Sequence, residues 1–233
     1  AVMSYTLHIA NKNYSSWSLR PWVLMKQLRI PFEEVLHPFV PNSDGRAFLS
    51  FSPSGKVPTL IDTGFAVWES IAIVEYLADN HANVWPADPK ARSWARSAAA
   101  EMHGGFSNLR NICGMNVGLR VTLNEVSDGL RRDHARIETL WQDGLTRFGG
   151  PFLAGNSFTA VDAFFCPVAY RIQTYDPPIG DEARADARRL LALPAMEAWT
   201  EAALAEDFRD HPNDDEARAV GTITDDFRTP EKV

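Results

Sequence analysis

Trp68-Glu69-Ser70-Ile71-Ala72-Ile73-Val74-Glu75-Tyr76-Leu77 joins the end of a short apolar run to the start of a helix. Ile71, Val74 and Leu77 recur at i, i+3 and i+6, which predicts one buried side of a helix over 70–80. Ser70 stands at the N-cap position, where a serine ordinarily satisfies a free backbone N–H. The same helix start, with its hydroxyl and its dipole, also suits a carboxylate. Glu69 beside it suits an ammonium, so the pair could hold both charges of one α-carbon.

Reading back from there, Asp62-Thr63-Gly64 is a turn between two short strands, Thr59–Asp62 and Phe65–Trp68. Ser54-Gly55-Lys56-Val57-Pro58 leads into the first of them, and Val57-Pro58 is a candidate cis bond. In that form the backbone of Val57 would be free to pair with a peptide ligand. Tyr5–Ile9 and Phe32–His37 read as two further strands. Between them Trp17, Leu24, Met25 and Leu28 mark a helix opened by Tyr14-Ser15-Ser16-Trp17-Ser18-Leu19-Arg20. Serines there either cap the helix or hold a hydroxyl at its positive end. The order over residues 3–81 is strand, helix, strand, irregular segment, two strands, helix.

Reading forward, the two prolines of 82–89 mark a linker. From Lys90 the pattern is helical, over 90–116, 122–148, 159–175, 183–190 and 194–206, with no convincing strand, so residues 90–233 are expected to form an all-α domain. Its charged tail from Arg209 is expected to be loose or to wrap the surface. Thr159 and Asp162 have the spacing of a capping box. Ala163 leaves Phe158 without a bulky partner for a hydrophobic staple.

Composition narrows the function classes. The chain has 45% hydrophobic and 23% charged residues over 233 positions, a globular balance large enough for a core without staples. A net charge of −7 argues against a nucleic-acid partner. Cys113 and Cys166, the two cysteines, have no neighbours at metal-ligand spacing, so no metal is expected and the chain reads as cytoplasmic. No apolar run reaches the roughly 20 residues of a membrane span, and no basic leader precedes an apolar stretch.

In this order and spacing the motifs resemble the glutathione S-transferase superfamily. Glu69-Ser70-Ile-Ala-Ile-Val-Glu-Tyr-Leu is similar to its Glu-Ser-x-Ala-Ile-x-x-Tyr-Leu stretch, and Lys56-Val57-Pro58 to the segment before its cis-proline. Ser15-Ser16-Trp17-Ser18-x-Arg20 resembles the Ser-Ser-Cys-Ser-x-Arg pattern of the zeta class, with Trp17 in place of the cysteine. The resemblance implies an α/β thioredoxin-like N-terminal domain, βαβαββα, followed by the all-α domain, and a homodimer. It implies glutathione as co-substrate, bound by Ser16, Trp17, Lys56, Val57, Pro58, Glu69 and Ser70. Ser15 is the implied catalytic donor to the thiolate, with Ser16 as the alternative from other serine classes. The implied activity is transfer to a small electrophile in detoxification. A non-catalytic glutathione-binding protein and a zeta-type isomerase of maleylacetoacetate are the alternatives.

A second-substrate pocket is expected against the helical domain. Met102, His103, Phe106 and Arg110 recur at helical spacing on one predicted helix, and Arg171 and Tyr175 lie on the helix begun by Thr159. Such stripes are more often core than site. An arginine facing the cleft would point to an anionic second substrate. Arg20 is expected to form ion pairs on its own helix.

Overall fold

The computed structural model describes residues 4–43 and 46–232. The outer bounds expected for the two domains, Met3 and Val233, lie outside those residues.

The first half builds a four-stranded mixed sheet. β1 (Tyr5–Ile9) pairs in parallel with β2 (Glu33–Leu36) and antiparallel with β3 (Thr59–Asp62), which pairs antiparallel with β4 (Phe65–Trp68), giving the order β2-β1-β3-β4. Alternation decides which face is buried: Tyr5, Leu7 and Ile9 point into the core, while Thr6 and His8 are half-buried on the other side. α1 (Ser16–Gln27) and α2 (Ser70–Ala78) complete the unit. It is thioredoxin-like, with one departure from the expected βαβαββα order. Between β2 and β3 the described residues hold only a 3-10 turn, Arg46–Phe48, where a second helix was expected.

The helical half follows the expected segments with sharper ends. α3 (Pro89–Gly104) starts on Asp88, whose carboxylate accepts the N–H of Ala91. The single helix expected over 90–116 is broken. Gly105 is extended, Phe106 is left-handed at φ 60°, and α4 (Ser107–Ile112) starts afresh. α5 (Asp128–Phe148) ends on Gly149 at φ 83°, a left-handed position where glycine carries no Cβ penalty. α6 (Ala160–Tyr175), α7 (Asp181–Leu191), α8 (Pro194–Ala205) and α9 (His211–Val220) complete the set.

The second half is helical but not wholly so. β5 (Leu119–Leu123) and β6 (Gly221–Asp226) form an antiparallel ribbon. The tail therefore does not hang loose; it folds back as α9 and β6 onto a strand a hundred residues earlier. Short alternation of the type Leu-Arg-Val-Thr-Leu is ambiguous in sequence until a partner strand exists.

α6 is the axis of the molecule. Nearly every residue from Ala160 to Tyr175 is buried, and it packs on α1, α3 and α7. Its start is fixed by Asp162, which is fully buried and accepts the backbone N–H groups of Thr159 and Leu153, both at 2.9 Å.

Burial outweighs these N–H donors and pushes the Asp162 pKa up to about 7. The folded chain thus holds a proton that the unfolded chain has lost above its ordinary value, so this group's contribution to stability falls as pH rises between roughly 4 and 7. Asp162→Asn cannot accept both N–H groups equally and is expected to lose about 1–3 kcal/mol in urea unfolding. The deficit relative to wild type should be largest near pH 4 and shrink towards pH 7.

Candidate functional site

The loop between β1 and α1 carries the serines, and residues from the far end of the chain hold it. Glu206 accepts the N–H groups of Lys12 (3.0 Å) and Asn13 (2.9 Å), so the loop backbone is satisfied by a buried carboxylate. Asn13 accepts the N–H of Gly118 and donates to Asn116, which donates in turn to Asp214. Tyr14 completes the lock. Its hydroxyl donates to Asp214 Oδ1 (3.1 Å) and accepts from Arg228 Nη1 (2.9 Å) and the N–H of Asp210 (3.3 Å). Burial and the Asp214 charge raise the Tyr14 pKa, so this phenol stays neutral. It faces the tail network, which leaves the neighbouring serines as the hydroxyls at the helix start.

Neither serine spends its hydroxyl on capping. Ser15 is the N-cap residue of α1, yet its side chain makes no capping bond; it donates to Ser18 Oγ at 2.6 Å, and Ser18 Oγ accepts the N–H of Ala10. Ser16 makes no side-chain hydrogen bond among the described residues. The N-terminus of α1 therefore presents free backbone donors beside two hydroxyls, one already aligned by a third.

The Val57–Pro58 peptide is cis, as expected. Lys56 ahead of it is pinned through its carbonyl by Ser52 Oγ (2.6 Å) and Thr59 Oγ1 (3.1 Å), and no backbone hydrogen bond of Val57 is found among the described residues. A second cis bond, Gly150–Pro151, carries no signal that the sequence analysis used. At α2 the cap differs from expectation. Glu69 takes the N-cap position at φ 67°, and Ser70 is the first helical residue. A non-glycine residue with positive φ is strained and merits a functional reading. Here the turn directs Glu69 outward, half-exposed, while burying Ser70.

Two adjoining cavities result. One of about 560 Å³ is lined by Tyr14, Ser15, Ser16, Phe48, Lys56 and Asn213 among others, and one of about 160 Å³ by Ser54, Pro58, Glu69 and Ser70. Trp17, Lys56 and Val57 line both. All eight first-domain residues singled out in the sequence, Ser15, Ser16, Trp17, Lys56, Val57, Pro58, Glu69 and Ser70, thus border one continuous cleft.

The six helical-domain candidates do not border it. Met102 is core, Phe106 is buried at the break between α3 and α4, and Tyr175 is buried with its hydroxyl donating to the Gly114 carbonyl at 2.6 Å. Arg110 donates to the carbonyls that end α3, and Arg171 Nε to the Cys113 carbonyl at 2.8 Å. His103 instead reaches the smaller cavity's residues. Its Nδ1 lies 3.5 Å from Ser70 Oγ, its Nε2 3.9 Å from Glu69 Oε2, and its ring meets Trp17 edge-on. Burial and the nearby Arg20 lower its pKa, so it is neutral at pH 7. Arg20 forms no ion pair among the described residues; it lies fully buried against Trp17 and Phe164. The broken helix explains the placement of Phe106 and Arg110, because helical spacing was extended across Gly105. Phe48 and Asn213, which the sequence analysis missed, join the site through the loop after β2 and through α9. An apolar residue in an irregular segment was the only sign of Phe48.

Among the described residues there is no group of three or more His, Cys, Asp or Glu that could hold a metal, and no helix is long and apolar enough to cross a membrane.

A thioredoxin-like unit whose cis-proline and two helix starts meet at one cleft, followed by a helical domain, defines the class. The family model for the glutathione S-transferase N-terminal domain matches residues 14–80. The chain is 26% identical to the glutathione S-transferase-like protein OpS6 of Beauveria bassiana, over 67% of this chain and 78% of that protein. It is 25% identical to a probable maleylacetoacetate isomerase of Caenorhabditis elegans, over 69% and 75% respectively. A glutathione transferase homolog from Burkholderia gl BGR1, solved with bound glutathione, superposes with a TM-score of 0.59 at 21% identity, covering 85% of this chain and 96% of that one. Residues 14–80 thus match the glutathione S-transferase N-terminal domain, and the chain over most of its length is similar to proteins of that superfamily.

Tyr14→Phe removes three hydrogen bonds of the tail network, two of them buried. Limited proteolysis is expected to release the segment after α8 at least tenfold faster than in wild type, with α1 to α8 still folded by circular dichroism.

Proposed function

We propose that the chain is a glutathione transferase that activates glutathione with a serine hydroxyl and delivers its sulfur to a small electrophile. The observation that carries the reading is the single cleft bordered by all eight motif residues. In this reading Glu69 and Ser70 hold the ammonium and carboxylate of the γ-glutamyl end, with neutral His103 alongside. The open backbone of Val57 pairs with the cysteinyl residue. Lys56, which borders both cavities, is the cation for the remaining carboxylate. Trp17 forms the wall between the two ends.

The energetics are sufficient without a metal or a protein base. A free thiol titrates near ~8.5, and lowering it by about two units takes roughly 2.7 kcal/mol. A hydrogen bond from a hydroxyl to the thiolate supplies about 1.5–3 kcal/mol, and the α1 N-terminus about 0.3–1 kcal/mol. Ser15 is the proposed donor. Ser18, held by the N–H of Ala10, can turn its own proton towards Ser15 and so free the Ser15 proton for sulfur. Ser16 is the second reading, favoured by its hydroxyl having no protein partner. The reading also carries a cytoplasmic homodimer and a division at 82–89. The exposed Phe65 and Trp68 of β4 supply an apolar face that a second copy would cover.

Thiolate absorbance of the glutathione complex tests the donor. In wild type the thiol pKa is expected about two units below ~8.5, and in Ser15→Ala within half a unit of ~8.5, with turnover of an electrophilic aromatic substrate down at least tenfold. Ser16→Ala should leave the pKa within a few tenths; the converse result transfers the role to Ser16. No association with glutathione at millimolar concentration would overturn the reading as a whole.

A further inference from the structure

Two arginines from two helices, Arg20 and Arg110, lie against Trp17, a third, Arg171, adds its charge to theirs, and none of the three is paired with a carboxylate among the described residues. Arg20 of α1 is fully buried, and its Nε, Nη1 and Nη2 have no hydrogen-bond partner among the described residues. Its guanidinium lies 4.1 Å from the centre of the Trp17 ring, and that of Arg110 on α4 lies 4.6 Å from the same ring. Arg171 of α6 is buried, with Nε on the Cys113 carbonyl and Nη1 unpartnered. None of the three enters an ion pair among the described residues.

Guanidinium groups stay charged in proteins, and a buried donor left unmade costs more than the bond would have contributed. Stacking on Trp17 and Phe164 offsets part of that cost but saturates no N–H. Arg110 and Arg171 each have a structural duty to a carbonyl; Arg20 has none. The like charges also repel. Burial, then Arg110 and Arg171, hold the Arg20 pKa well below its ordinary value, and burial, then Arg110, lower that of Arg171 to about 10. Unpaired charges of one sign, buried beside a reactive cleft, are what an incoming anion would relieve.

We propose that Arg20, Arg110 and Arg171 form a receiving site for an anionic group, a carboxylate or a phosphate, carried by the second substrate, with Trp17 as the partition between that site and the glutathione cleft. The guanidinium forks suit the two-oxygen edge of either group. Arg110, the one member that is not buried, marks the side of entry. Assigning the anion to a substrate rests on the glutathione reading; the anion site itself rests on the arginines alone.

The test uses the full chain and three probes at matched ionic strength, namely succinate, inorganic phosphate and chloride, each titrated by calorimetry with and without saturating glutathione. Saturable one-site binding of succinate or phosphate, with at least tenfold weaker chloride, is expected, together with a rise in Tm and a change in tryptophan fluorescence absent from Trp17→Phe. Tighter succinate assigns a carboxylate, tighter phosphate a phosphate ester. Arg110→Gln and Arg171→Met should each weaken that binding at least tenfold. Should Arg171→Met fail to fold, the half-buried Arg110→Gln carries the comparison. The better probe should compete with an anionic electrophile and leave the KM for glutathione unchanged. No saturable binding, equal binding of chloride, or unchanged affinity in Arg110→Gln would overturn the proposal. Glutathione affinity is measured on the same samples. Its absence, with anion binding intact, removes the transferase reading and leaves the site standing; its presence, with anion binding lost, removes the site alone.

Discussion

The loop between β1 and α1 has backbone donors that no helix or strand satisfies, and residues from the other end of the chain satisfy them. Glu206 takes two of its N–H groups, and Asn116, Asp214 and Arg228 hold the side chains of Asn13 and Tyr14. A buried polar network of this kind is favourable only when every member is partnered. Here the partners come from the end of α8, from α9, from the segment after β6 and from Asn116 ahead of β5, so the two halves fix each other. The serines at the start of α1 consequently sit on a firm mount although a loop leads into them. Arg228 fits because Gly118, beneath it, has no Cβ; one would lie 2.1 Å from the arginine's Cγ.

That mount explains why the cleft can rely on neutral donors. Preorganised N–H and O–H groups stabilise charge most when they need not reorganise to meet it. Tyr14, the residue next to the serines, is occupied by Asp214 and Arg228 and is kept protonated by burial. The hydroxyls at the helix start remain, and the Ser15–Ser18–Ala10 chain gives one of them a fixed orientation. Trp17 separates two electrostatic worlds. On one side lie Glu69, Ser70 and the open Val57 backbone; against the ring stack two guanidinium groups.

Local chemistry was legible wherever it stayed local. The strands β1, β3 and β4, the helices α1 and α2, the cis Val57–Pro58 peptide and the Asp162 cap each follow from a few adjacent residues. Misreadings arose where a pattern was extended through a break. Helical spacing carried Met102, His103, Phe106 and Arg110 onto one face, but the left-handed turn at Phe106 rotates Arg110 away from that register. Ser70 was read as a cap because serine favours that position, and the positive φ of Glu69 moved the cap by one residue. Arg20 is expected from the sequence to form ion pairs on its own helix, whereas α6 covers it with Phe164.

The sequence by itself determined the small α/β unit and the helical half, since turn chemistry, periodicity and helix starts act over a few positions, while the eight residues that border the cleft followed from the resemblance of its motifs to glutathione S-transferases. Only the tertiary structure decided the pairing of β5 with β6, the engagement of Tyr14 by the tail, the approach of His103 to Ser70 and the gathering of Arg20 and Arg110 against Trp17 with the charge of Arg171 added to theirs. Each of these joins residues roughly thirty to two hundred positions apart. Contacts at that range leave no periodic trace in the chain, because they are selected by how whole helices pack and not by what stands next to what.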